Sequence, residues 1–129
     1  MVNESVKSKV LIVEDDVFMI DLMMQEFSAI PEFAVSVART GSEAIKKFEE
    51  IKPDITLLDL MLPDKKGFEA LRAIRRTPAG AHAKVIIFSN SAEASDVAEA
   101  KRLGAVDYMI KANFSLDEIV ERTKKALAE

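Results

Sequence analysis

Five short apolar runs mark the chain, and each is followed by a stretch in which apolar residues recur at helical spacing. Residues 9–13 (Lys-Val-Leu-Ile-Val) read as a strand buried on both faces. Val17, Ile20, Leu22, Met23, Phe27 and Ile30 then follow a helical period up to Pro31. Residues 33–38 carry the β-branched content of a second strand. Thr40-Gly41-Ser42-Glu43 has the form of a capping box, with Thr40 as N-cap and Glu43 reaching back. The helix it opens carries Ala44, Ile45, Phe48 and Ile51 and stops before Pro53. Ile55 to Leu58 form an uncharged third strand, bounded by Pro53 and Pro63. Helix three carries Phe68, Leu71 and Ile74 on one face and Arg72, Arg75 and Arg76 on the other, ending at Thr77-Pro78-Ala79-Gly80. Residues 85–88 are strand four. A helix of small residues over about 93–103 is closed by Gly104. Residues 106–110 are strand five, and Ser115-Leu116-Asp117-Glu118 caps a last helix.

The order is therefore βα repeated five times. Alternating strands and helices imply right-handed βαβ units and a parallel sheet covered on both faces. Five short units suit a doubly wound (βα)5 flavodoxin-like α/β sandwich with a five-stranded parallel sheet in the order 2-1-3-4-5. No repeat or linker interrupts it, so residues 1–129 are expected to form a single domain. Its core spans about 9–128, after a flexible N-terminal 1–8.

Composition removes several function classes. The chain has 129 residues, a net charge of −4 and no basic block, which disfavours direct nucleic-acid binding. It has no cysteine and one histidine, His82, so thiolate metal sites are excluded and histidine-based catalysis has little to work with. His82 and Asp64 read as a surface residue and a turn former. No glycine-rich loop follows strand one, which argues against dinucleotide and P-loop sites. No apolar run approaches the roughly 20 residues of a membrane span. The N-terminus lacks the apolar core of a signal peptide, so the cytoplasm is the expected location.

The chemistry collects at the strand ends. Strand one ends in Glu14-Asp15-Asp16, strand three in Asp59, strand four in Ser89 and strand five in Lys111. In the 2-1-3-4-5 order these four strands are neighbours, about 4.8 Å apart. Their ends meet at the switch point, where open α/β sheets bind ligands. Clustered carboxylates repel, and a divalent cation with oxygen ligands, Mg²⁺ or Mn²⁺, relieves the repulsion. Carboxylate nucleophile, metal, lysine and hydroxyl together describe a phosphoryl site.

The stretches Val10-Leu-Ile-Val-Glu14-Asp15-Asp16, Leu57-Leu-Asp59-Leu-Met-Leu-Pro63-Asp64-Lys-Lys-Gly67, Val85-Ile-Ile-Phe-Ser89 and Gly104-Ala-Val-Asp-Tyr108-Met-Ile-Lys111 resemble a response-regulator receiver domain, the CheY-like module of two-component signalling. The resemblance covers about 9–127. It implies that Asp59 is the phospho-acceptor. Asp15 is a direct metal ligand, Glu14 a ligand through water, and Met61 a ligand through its backbone carbonyl. Ser89 is the switch hydroxyl, Lys111 the phosphate contact and Tyr108 the aromatic switch. It further implies Mg²⁺ (or Mn²⁺) as cofactor and a sensor histidine kinase or phosphotransfer protein as donor. A downstream protein target would bind the face of helix four, strand five and helix five, with a phosphorylation-dependent homodimer a further option. Such a chain is a phosphorylation-dependent switch, not a turnover enzyme.

Three departures from the family pattern bear on function. Ala112 follows Lys111 where the family usually has Pro. A cis bond there would cost about 2.5–4 kcal/mol, so either a trans bond with a shifted loop or a strained cis bond is expected. Asn90 stands where a very small residue is usual, which narrows access to Asp59. Met61 and Ser91 occupy the positions that tune dephosphorylation, and an apolar Met61 cannot orient water, so a long-lived phosphoryl state is expected. The rival is a pseudo-receiver, a non-phosphorylated interaction scaffold. An aspartate-nucleophile phosphatase is disfavoured because Met61 stands where a second aspartate would be needed.

Overall fold

A computed structural model describes residues 7–129; most of the N-terminal 1–8, expected to be flexible, lies outside the described residues. The elements run β1 (Ser8–Val13), α1 (Val17–Ser28), β2 (Phe33–Ala38), α2 (Gly41–Ile51), β3 (Ile55–Leu58), α3 (Gly67–Arg75), β4 (Lys84–Ser89), α4 (Ala94–Arg102), β5 (Asp107–Ile110) and α5 (Leu116–Ala128). The five strands are all parallel, in the order β2-β1-β3-β4-β5. This is the doubly wound α/β sandwich expected from the alternation of patterns.

Strand alternation divides the core in two. Val10, Ile12, Ile55, Leu57, Ile86 and Phe88 join Met23 and Phe27 of α1 and Ile119 and Val120 of α5. Leu11, Val13, Leu58, Val85 and Ile87 join Ala44 and Phe48 of α2, Leu71 and Ile74 of α3 and Ala100 of α4. Because both faces of the central sheet are covered, β1, β3 and β4 are nearly continuous buried runs, while the edge strands β2 and β5 are only partly buried. Both faces being closed, the sheet's carboxyl rim is left as the place where polar groups can gather.

The helix ends follow their caps with two adjustments. Asp16, the third acid after strand one, is the N-cap of α1: its Oδ1 accepts from Phe18 N at 2.9 Å and Met19 N at 3.3 Å. Thr40 caps α2 as expected, but Glu43 reaches past it to accept from Arg39 N at 2.6 Å. Ser115 and Glu118 form the full reciprocal box on α5. β1 takes in Ser8, one residue before the apolar run, because Ser8 pairs with Phe33 across the ladder to β2.

Arg75 lies on the charged face of α3 with Arg72 and Arg76, but it is not free in solvent: its guanidinium donates to the carbonyls of Leu103, Gly80, Ala83 and Gly104 at 2.6–3.1 Å. One planar fork thus satisfies carbonyls left open where α4 and the 76–83 turn end. Gly104 closes α4 with φ +78°, where a side chain would be strained.

Candidate functional site at the carboxyl rim of the sheet

Backbone ladders extend one residue past the strands and fix the acidic groups. Glu14 N donates to Ala38 O at 3.0 Å, and Asp59 N donates to Val13 O at 3.1 Å. Val13 pairs with Leu58 in register, so Glu14 and Asp59 leave the sheet side by side. Both are buried, Glu14 at 2% and Asp59 at 4% exposure. One carboxylate oxygen from each of Glu14, Asp15 and Asp59 lies within 4.8 Å of the other two.

Lys111 reaches this group from the far side of the sheet. Its Nζ donates to Glu14 Oε1 at 2.5 Å and to Asp59 Oδ2 at 2.9 Å, and it lies 5.4 Å from the Phe88 ring centroid. The Lys111–Ala112 bond is trans, and a 3₁₀ turn over Lys111–Asn113 carries the chain on to α5. The lysine therefore bridges both carboxylates without a cis peptide.

The electrostatics follow from this packing. Burial pushes the Glu14 carboxyl above its ordinary value; the hydrogen bonds from Lys111 and Asp16 N offset only part, and the neighbouring Asp59 charge adds to the rise. Burial pulls the Lys111 ammonium down, but its hydrogen bonds to Glu14 and Asp59 and their charges outweigh that and hold it above its ordinary value. Three carboxylates face one ammonium, so negative charge is under-compensated. An all-oxygen set in this state fits a hard divalent cation such as Mg²⁺.

The remaining expected residues border the cluster. Met61 N donates to Asp59 Oδ1 at 3.2 Å, while the Met61 side chain is 73% exposed. Ser89 is fully buried at the end of β4, and its Oγ accepts from Ser91 N at 3.3 Å. Tyr108 is half-buried on β5 and donates its hydroxyl to Ser91 O at 2.9 Å. Burial raises the phenol above its ordinary value. Ser91 Oγ in turn donates to Asp96 in the first turn of α4 at 2.5 Å. One loop residue thus touches Ser89, Tyr108 and α4. Asn90 is exposed, as is His82.

A sequence model described as the response regulator receiver domain matches residues 10–124. The chemotaxis protein CheY of Listeria monocytogenes is 36% identical over 118 residues, which is 92% of this chain and 97% of that protein. The crystal structure of the response regulator domain of Thermotoga maritima CheB is similar at TM-score 0.84 and 30% identity, over 95% of this chain and 98% of that one. The phosphorylated cyanobacterial phytochrome response regulator RcpA is similar at TM-score 0.80 and 26% identity, over 93% and 91% of the two chains. A five-stranded parallel sheet with acidic groups and a lysine at its carboxyl rim is the receiver form of the α/β sandwich. The chain belongs to the response regulator receiver domain family.

Proposed function

We propose that the chain is a phosphorylation-dependent switch that accepts a phosphoryl group on Asp59 from the phosphohistidine of a partner kinase or phosphotransfer protein. The carrying observation is the buried bridge from Lys111 Nζ to both Glu14 and Asp59, with Asp15 alongside. In the transfer, an Asp59 oxygen bonds to phosphorus as the phosphorus–nitrogen bond of the donor breaks. The electron pair leaves on the imidazole nitrogen, which takes up a proton. Lys111 stands where it would neutralise oxygens of the incoming group. Asp15, Asp59, Glu14 and the Met61 carbonyl would hold Mg²⁺, which supplies charge neutralisation to the phosphoryl oxygens. Phosphorylated RcpA supports the same use of the fold.

The phosphoryl oxygens would accept from the buried Ser89 hydroxyl, and a turn of that side chain toward them would break the bond that Ser91 N donates to its Oγ. Release of Ser91 would then loosen both Tyr108 and Asp96, and so shift a pre-existing equilibrium of α4 and the α4-β5-α5 face. A downstream protein would read that face, with or without pairing of two copies.

Intact mass after treatment with acetyl phosphate and Mg²⁺ tests the reading. One phosphoryl group is expected on the unaltered protein, and none on Asp59→Asn or without Mg²⁺. No gain under any condition favours the interaction scaffold. The same assay followed over time checks the second expectation. Apolar, exposed Met61 offers nothing to orient an attacking water, so the phosphoryl group should outlast the seconds scale, and Met61→Asn should shorten its life.

A further inference from the structure

The loop between β3 and α3 is held close at two glycines, against backbone at Gly67 and against a lysine side chain at Gly41. At Gly67 a β-carbon would lie 2.3 Å from Asp59 O and 2.8 Å from Leu60 Cα, both backbone atoms. The glycine allows Gly67 N to donate to Leu60 O at 2.9 Å and fold the loop back on the end of β3. At Gly41 a β-carbon would lie 2.3 Å from Lys65 Cγ, so the same loop presses against the first turn of α2.

Asp64 makes that second contact. Its Oδ1 accepts from Gly41 N at 2.7 Å, and its Oδ2 accepts from Ser42 N at 3.0 Å and Ser42 Oγ at 2.6 Å. Thr40 Oγ1 takes Glu43 N and Thr40 O takes Ala44 N. The Ala44 bond begins the helix's own ladder, and three of the amides left open before it are divided between a local cap, which takes Glu43 N, and a carboxylate from 22–23 residues away, which takes Gly41 N and Ser42 N. A negative charge at a helix N-terminus is favoured by the aligned peptide dipoles. The Ser42 hydroxyl, followed by the Gly41 and Ser42 amides, holds the Asp64 carboxyl down at about 2, so the clamp stays charged at neutral pH.

Between the two anchors stands Met61, whose amide donates to Asp59 Oδ1 while Lys111 takes Oδ2. We infer that Asp64 is a positioning residue for the rim site: by clamping the loop to α2 it sets the Met61 backbone against Asp59 and so prepares the acidic cluster for a divalent cation. The inference rests on the proposed Mg²⁺ site and adds a residue that touches none of its ligands' side chains.

Mg²⁺ titration by calorimetry, with thermal melting alongside, separates this role from helix stability. Asp64→Ala should weaken Mg²⁺ affinity by about tenfold, in the range for supporting residues around metal sites. Ser42→Ala, which removes one bond to Asp64 from the α2 side, should weaken it in the same direction by less. Thr40→Ala strips an acceptor from the same helix end without touching the loop; it should lower the melting temperature and leave the affinity unchanged. Equal affinity in all variants overturns the inference alone. Equal weakening by Thr40→Ala also overturns it, since capping α2 would then suffice. An unaltered protein that binds no Mg²⁺ removes the site on which it rests.

Discussion

Thr56 sits fully buried in the middle of β3, and its hydroxyl is the one buried side-chain polar atom among the described residues without a hydrogen-bond partner. Its ladder neighbours are Leu11 and Val85, both apolar. Thr56→Val keeps the shape and removes the unpaired hydroxyl, so it should stabilise the fold by about 1–3 kcal/mol. Urea denaturation checks this, and a loss of stability would mean that the hydroxyl is satisfied in solution. Asp64 gives the opposite case, a charged group with every oxygen engaged. Its carboxyl falls from an ordinary 3.8 to about 2 in the folded chain. The stability it contributes is therefore present above 3.8 and lost as pH falls through about 2. The difference in stability between the unaltered protein and Asp64→Ala should be level from neutral pH down to the unfolded value and close below it. Glu14, Asp59 and Lys111 were legible because parallel strands deliver their carboxyl ends to one rim. Asp64 and Arg75 were not, because Asp64 meets the Gly41 and Ser42 amides and the Ser42 hydroxyl across the fold, Arg75 meets carbonyls from Gly80 to Gly104, and a side chain's residue type does not say which of these groups the fold brings to it.

At the scale of elements, apolar periodicity and caps located every strand and helix, with ends shifted by a residue or two. Glu43 overshot Thr40, and strand five starts at Asp107, one residue later than its apolar run. The helices are not equally secured. α3 buries Gly67, Ala70, Leu71 and Ile74, and α5 buries Ile119, Val120, Thr123 and Ala126. α4 buries Ala100 alone and is held at its surface by Glu99, which pairs with Arg72 at 2.6 Å and Arg102 at 2.5 Å. Exposed pairs of this kind contribute little. Amides of α4 should therefore exchange with solvent faster than those of α2 and α5, with protection set by local opening rather than global unfolding. Hydrogen exchange read by mass spectrometry or NMR checks it. Uniform protection across the helices would leave Ser91 and Tyr108 coupled to an element too firmly packed to respond.

Over the whole molecule, two apolar layers support a rim that is poorly compensated in charge. Glu14 and Asp59 are buried beside Asp15, and among the described residues the only ammonium bonded to them is Lys111. Burying charge costs unless it is paired, and one cation between three carboxylates leaves part of that cost standing. The sheet tolerates it because the ladders on either side hold Glu14 and Asp59 in place by backbone bonds that do not depend on their charge. Removing one carboxylate should then relieve the fold while weakening the site. Asp59→Asn is expected to melt higher than the unaltered protein in the absence of Mg²⁺. Saturating Mg²⁺ should reverse the order, because a ligand at a hundredfold excess over its dissociation constant adds about 2.7 kcal/mol to the state that binds it. Differential scanning calorimetry with and without Mg²⁺ decides this. If Asp59→Asn melts lower in both conditions, Lys111 already balances the cluster, and the strain that would draw in a cation and a phosphoryl group is not stored at this rim.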